Sequence, residues 1–190
     1  VTHNFYTDEE LKAFGFKQIG TNVLISRKAS IYSPQHIALG SNIRIDDFCI
    51  LSGVITLGNY IHIAAYTSLC GGNQGIVLED FVNLSRKIEI FAISDDFSGA
   101  SMTNPMIPNE YKKLIEGRVW LKKHVIVGTG TVILPGVVLE EGSAIGALSL
   151  VKASTDPWSI NAGIPSRRIK DRKRDLLKIE ELFHDPNNKK

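Results

Sequence analysis

The side chains able to do chemistry are few, and their spacing excludes more than it offers. Cys49 and Cys70 stand apart, without a CxxC or metal spacing, and read as reduced thiols of a cytoplasmic protein. His3, His36, His62, His124 and His184 are scattered along the chain, and no metal site is expected from them. Ser85 lacks the Gly-x-Ser-x-Gly surroundings of a hydrolase nucleophile. Asp95 and Asp96 fall together in Ile93-Ser94-Asp95-Asp96-Phe97, where turn chemistry and catalysis both suit them. Seven Lys and Arg (Arg167, Arg168, Lys170, Arg172, Lys173, Arg174, Lys178) crowd residues 165–178, as a solvated helix face or as partners of phosphate. Over all 190 residues, however, 22 Lys and Arg meet 20 Asp and Glu, for a net charge of +2, so a nucleic-acid binder is not expected. No apolar run is long enough to span a membrane, and no export signal is visible. Val1 to His3, with no initiator Met, read as a remnant foreign to the native chain.

The elements that must position these groups follow from an internal repeat. Aliphatic residues recur every six positions: Ile19, Ile25, Ile31, Ile37, then, after a slip of two, Leu39, Ile45, Leu51, Leu57, Ile63, Leu69. A three-residue insertion (Gly75-Ile76-Val77) precedes Leu78, Leu84 and Ile90, and the series restarts as Leu121, Val127, Ile133, Leu139, Ile145, Val151. An amphipathic helix would alternate spacings of three and four, and an ordinary sandwich strand would alternate every second residue. A six-residue period, with a smaller residue at the fifth place, suits a triangular solenoid: one short strand and one corner per hexad, three hexads per coil. Gly and Asn or Asp at corners (Gly40-Ser41-Asn42, Gly58-Asn59, Glu79-Asp80) are expected to supply positive φ. Thr7-Asp8-Glu9-Glu10 is a capping box for a helix to about Phe14 that covers the open end. Residues 166 to about 184 read as a second helix, with Ile169, Leu176, Ile179 and Phe183 near one stripe, and 185–190 as a frayed end. The interruption at 95–117 is too long for a corner and too apolar (Met102, Met106, Ile107, Tyr111) for a bare linker. The expected organisation is a cap at 1–18, a β-helix at 19–160 with this excursion, and a closing segment with a helix at 161–190.

Over residues 19–170 the chain resembles the hexapeptide-repeat acyltransferases, and its end, Gly163-Ile164-Pro165-Ser166-Arg167-Arg168-Ile169, looks like their closing signature. The opening Asn4-Phe5-Tyr6-Thr7-Asp8-Glu9-Glu10-Leu11, the stretch Ile45-Asp46-Asp47-Phe48-Cys49, and Asp95-Asp96-Phe97-Ser98-Gly99 are similar to a narrower branch. Its members acylate the amino group of thymidine-diphosphate-linked 4-amino-4,6-dideoxy sugars for surface polysaccharide synthesis. The resemblance implies an all-β solenoid, a left-handed parallel β-helix, assembled as a homotrimer. It also implies acetyl-CoA or another acyl-CoA as co-substrate, with no permanently bound cofactor.

Many members of the larger family place a His base where Asp95 stands here. Asp95 is a feeble base toward a hydroxyl but is adequate to hold and orient an amine, with the departing thiolate taking the surplus proton. This favours N-acylation, with His124 as the fallback base. The resemblance points to Ser85, Asp47 and Tyr66 as sugar-nucleotide ligands. Small residues at Gly128, Gly146 and Ala147 would let the pantetheine arm approach the backbone, unless simple corner geometry explains them. Arg167 and Lys170, then Lys152, are the expected partners of the coenzyme phosphates. A sugar or antibiotic O-acetyltransferase, and a non-catalytic or carbonic-anhydrase-like β-helix, remain the alternatives.

Overall fold

The computed structural model describes residues 4–185, so the expected remnant at 1–3 and the frayed end from 186 onward lie outside it. The strands form three sheets of six, eight and six, the faces of a triangular prism, parallel throughout except for the last of the eight, Ser166–Asp171. Ile37, Ile55, Ile76 and Val119 stand in one column of the first sheet and Leu39, Leu57, Leu78 and Leu121 in the next. Stacking like on like at about 4.8 Å leaves no gap between coils. These aliphatic side chains are fully buried. Each contributes about 1.5–3 kcal/mol by leaving water. The smaller fifth-place residues Cys49, Thr67, Val82, Val125 and Thr131 fill the prism corners, with no exposure.

The corners require a positive φ, which among the suggested residues falls at Asn42 and not at Gly40, Gly58, Asn59, Glu79 or Asp80. Gly40 and Gly58 are needed for closeness: a Cβ on Gly40 would lie 2.3 Å from the Gly58 carbonyl oxygen, and one on Gly58 2.5 Å from Asp80 Oδ1. The left-handed residue comes three positions after the aliphatic one. On the edge between the first and second sheets these are Asn22, Asn42, Tyr60, Phe81 and His124, with φ of 54–62°. On the edge between the second and third they are Phe48, Tyr66, Lys87 and Leu148. A side chain in this region costs about 1 kcal/mol. Here coil-to-coil stacking offsets that cost: Asn22 Nδ2 donates to Asn42 Oδ1 (2.8 Å), and the Tyr60 and Phe81 rings lie 5.0 Å apart.

The third edge absorbs the irregularities. The slip of two falls at the 3₁₀ turn Pro34–His36. The insertion falls at Gly71 to Gly75, where the Gly75 amide donates to the Gly71 carbonyl (2.8 Å), and not at Gly75-Ile76-Val77, because Ile76 and Val77 belong to a strand paired with Ile55 and Thr56. The long excursion leaves from the same edge as an antiparallel arm, Ile93–Asp95 against Leu114–Glu116, and is closed by the Gly117 amide on the Ala92 carbonyl (2.9 Å). The coil beyond the arm stacks on the one before it without a break in register.

At the N-terminal end the helix Asp8–Ala13 forms with the expected reciprocal capping box, and Leu11 is buried over the first coil. Glu10 also pairs with Arg27 (2.6 Å). The other end departs from expectation. Residues 166–171 are not helical; Ser166–Asp171 is a strand antiparallel to Ser159–Gly163, and the helix is confined to Leu176–His184. Ser159–Gly163 stacks in parallel on Ala144–Ile145 and would otherwise leave its outer backbone unpaired. Ile169 accordingly lies exposed on the outer strand rather than on a helical stripe. From there the chain doubles back, and the helix descends along the edge that carries Tyr60, Phe81 and His124, with the Phe183 ring edge-on to Tyr60 at 5.2 Å. Among the described residues no helix is long and apolar enough to cross a membrane.

Candidate active site

The three edges of the prism, named here the helix edge, the open edge and the arm edge, divide the candidate residues. Asp47, Tyr66, Ser85, Gly128, Gly146 and Ala147 all fall on or beside the open edge, at successive heights. Backbone bonds run up it: the Tyr66 amide to Asp47 O (3.0 Å), Lys87 to Ala65 O (3.1 Å) and Leu148 to Thr129 O (2.8 Å). Phe48 and Tyr66 stack with centroids 4.9 Å apart, yet remain 47% and 50% exposed. Two flat rings are therefore held together half-exposed, with Lys28 Nζ 5.5 Å from the centroid of Phe48.

Asp47 is tied to the preceding coil, accepting from Ser26 Oγ (2.5 Å) and from Lys28 Nζ (2.9 Å). The Ser26 hydroxyl and then the Lys28 ammonium hold its carboxyl below the usual range. Ser85 is half-buried; its amide and carbonyl join the ladder, while its hydroxyl has no hydrogen-bond partner among the described residues. Gly128 and Gly146 are required by stacking alone: a Cβ on the former would meet the Ala147 amide at 2.5 Å, and one on the latter the Ala162 Cβ at 2.9 Å. The expected phosphate cations are not gathered. Arg167 lies opposite Ala162, and so beside Gly146 on the open edge, whereas Lys170 lies opposite Ile160, back toward the helix edge. Lys152 follows Leu150–Val151 and faces the arm edge. All three are exposed.

Asp95 sits at the root of the arm, paired in register with Leu114. It is separated from Ser85 by the width of the third sheet. Asp96 closes a turn, accepting from the Ser98 amide and hydroxyl (both 2.9 Å) and from Ser101 Oγ (3.2 Å). Those bonds, from the Ser98 amide first, lower its pKa and mark it as structural. Beyond it the arm presents Phe97 (90% exposed) and Met106 (88%) with no cover among the described residues.

His124 is elsewhere. It lies on the helix edge, 7% exposed, stacked on Phe81 (5.1 Å), with Nε2 2.8 Å from Glu180 Oε2. Glu180 also takes Lys123 Nζ at 2.6 Å. Burial raises the Glu180 pKa, but the bonds from Lys123 and His124 outweigh it and the net shift is downward. The two candidate bases are thus not brought together. His62 pairs with Asp46 (2.9 Å) on the outer face of the second sheet, and no three His, Cys, Asp or Glu side chains gather as a metal site among the described residues. The sequence reading passed over Phe48, Arg86 and Lys87. The last two are exposed cations at the corner directly after Ser85, and their place in the hexad was the available signal.

No family model matches the sequence. The chain is 44% identical over 182 residues to the dTDP-4-amino-4,6-dideoxy-D-glucose acyltransferase of Escherichia coli, covering 94% of each. It is similar to AntD, an N-acyltransferase from Bacillus cereus solved with dTDP and 3-hydroxybutyryl-CoA, at 53% identity and a TM-score of 0.96, over 98% of this chain and 100% of that one. A hexapeptide-repeat acetyltransferase from Vibrio cholerae, 19% identical over 90% of this chain and 81% of its own, shares the fold, with a TM-score of 0.58. Fold and relatives together define an acyl-CoA-dependent acyltransferase built on a left-handed parallel β-helix. Within that class the chain belongs to the family of the dTDP-4-amino-4,6-dideoxy-sugar acyltransferases.

Proposed function

We propose that this enzyme moves an acyl group from a coenzyme A thioester to the amino group of a dTDP-linked 4-amino-4,6-dideoxy sugar, with Asp95 and Ser85 at the reacting end. One observation carries the assignment of residues. Variants of AntD crystallised with coenzyme A and with dTDP or dTDP-4-amino-4,6-dideoxyglucose replace an aspartate and a serine ten positions apart. Asp95 and Ser85 have the same spacing. In the reaction the amine nitrogen attacks the thioester carbonyl, a C–N bond forms, and the C–S bond breaks with its electron pair on sulfur. The surplus proton on nitrogen passes to that thiolate. Asp95 attracts and orients the amine, and the Ser85 hydroxyl is free to donate to the substrate. His124, fixed on another edge by Glu180, has no part in this reading. Arg167 meets the coenzyme phosphates above Gly146, with Lys170 and Lys152 as more distant contributors, and Tyr66 with Asp47 faces the nucleotide.

A homotrimer belongs to the same proposal. Asp95 and Ser85 occupy different edges of one prism, and the bare apolar arm needs a neighbour, so a cleft between two copies completes the site. The enzyme then works in the cytoplasm with its acyl-CoA, and its product enters surface polysaccharide synthesis. The test is to incubate the protein with acetyl-CoA or 3-hydroxybutyryl-CoA and dTDP-linked amino or hydroxy sugars, following free thiol. Thiol release with the amino sugar only is expected. Equal release with the hydroxy sugar would overturn the reading, and sedimentation as an active monomer would overturn the trimer.

A further inference from the structure

Beneath the C-terminal helix lies a groove of about 450 Å³ that the acyl transfer does not use. Pockets of this order hold small organic molecules. Its floor is Phe81, Val125 and Ile126 of the solenoid, and its roof is Leu176, Ile179 and Phe183 of the helix. The helix meets the solenoid through Phe183, whose ring lies 5.2 Å from that of Tyr60, but none of its residues is fully buried, and the groove runs between it and the floor. The groove lies on the helix edge, apart from Ser85 on the open edge and Asp95 at the arm.

Its charges do not balance. The Glu180 carboxylate is engaged by Lys123 and His124. Arg172, half-buried at the groove wall, donates through Nη1 to the carbonyls of His124 (2.8 Å) and Gly142 (3.0 Å). Nη2 and Nε make no hydrogen bond and no carboxylate pairs with the guanidinium among the described residues. Burial depresses its pKa, and nothing anionic compensates. A guanidinium presents its N–H groups as a planar fork that matches a carboxylate.

We propose that the groove binds a carboxylate carrying an apolar tail, its head on the open side of Arg172 and its tail between Phe81, Ile126 and Ile179. One unmatched cation calls for a monoanion, and walls this apolar exclude a bare phosphate or a second charge.

The assigned probe is octanoate, titrated into the full-length protein by calorimetry and by the fluorescence of the neighbouring Trp158. Saturable binding of one octanoate per chain is expected, at least tenfold tighter than octan-1-ol (tail without charge) or acetate (charge without tail). Arg172→Gln is expected to weaken octanoate at least tenfold and leave octanol unchanged. Because Arg172 also anchors the chain before the helix, Ile126→Trp provides a second route: it fills the groove with Arg172 intact and should abolish octanoate binding. Equal affinity for octanoate and octanol, retention of octanoate by both variants, or no saturable binding to the assembled protein would each overturn the proposal. Thiol release with the amino sugar, measured on the same samples, reports separately on the acyl transfer.

Discussion

The helix edge and the open edge are built alike. Each places residues with positive φ at successive coils and stacks them into a ladder, and each ladder includes aromatic rings. On the helix edge the rings of Tyr60, Phe81 and His124 are roofed by Leu176–His184, and the nearest carboxylate, Glu180, is bound on two sides. On the open edge Phe48 and Tyr66 stay half-exposed, and the Ser85 hydroxyl has no partner among the described residues. Similar corner chemistry is therefore covered in one place and bare in the other. What separates them is cover. His124 on the roofed edge is enclosed and paired with Glu180, whereas Ser85 and Tyr66 on the bare edge are open to solvent.

That contrast can be broken by substitution, and the largest effect should come from outside both ladders. Asp95→Asn is expected to lower amino-sugar turnover by about 10²-fold. Raising the pH should recover part of the loss, because more of the free sugar amine is then deprotonated. Coenzyme A affinity, read by calorimetry, should be unchanged. On the open edge, Tyr66→Ala should raise the KM for the nucleotide sugar about tenfold, the scale of one lost stacking contact, with Tm nearly constant. On the helix edge, Phe81→Ala should do the opposite: kcat and KM stay within a factor of about 3, while stability falls by about 2 kcal/mol, or roughly 4–8 °C in Tm for a chain this size. His124→Asn should follow the Phe81 pattern. A crippled His124→Asn enzyme beside a normal Asp95→Asn enzyme would invert the comparison. The smallest effect concerns acid. Glu180 is held below its ordinary value of 4.5, so the stability it contributes is full above that pH and is lost as pH falls through the lowered value. Thermal melts of Glu180→Gln should therefore decline less steeply than wild type below pH 4.5.

Much of this was legible in the sequence because a solenoid repeats its physics. Ile45 and Ile63 occupy the same column, and both belong to the six-residue series, so one period predicts both. The capping box at Thr7 and Glu10 is a local motif that needs no tertiary context. The arm announced itself by length and by its apolar residues. What escaped depended on contacts between distant segments. Residues 166–171 look helical because Ile169 falls on the stripe of Leu176, Ile179 and Phe183, and the unpaired backbone of Ser159–Gly163 makes them a strand instead. Gly163 and Pro165 between two short runs were the hairpin signal that could have been read. The left-handed aromatics escaped because corner preference was assigned to Gly and Asn. Their recurrence three places after each aliphatic residue was present in the sequence, without a propensity to draw attention to it. His124 looked free because its partner, Glu180, lies 56 residues away.

The charged closing hairpin has a consequence at a larger scale. A parallel β-helix is a stack with no internal reason to stop, since its last coil offers the same row of amides and carbonyls as every coil beneath it. Here the row on the second sheet is taken by an antiparallel partner whose residues include Arg167, Arg168 and Lys170, and the opposite end is plugged by Asp8–Ala13. The two caps act as chain terminators. Without them, molecules would meet end to end and grow into filaments, each adding its own coils to the next.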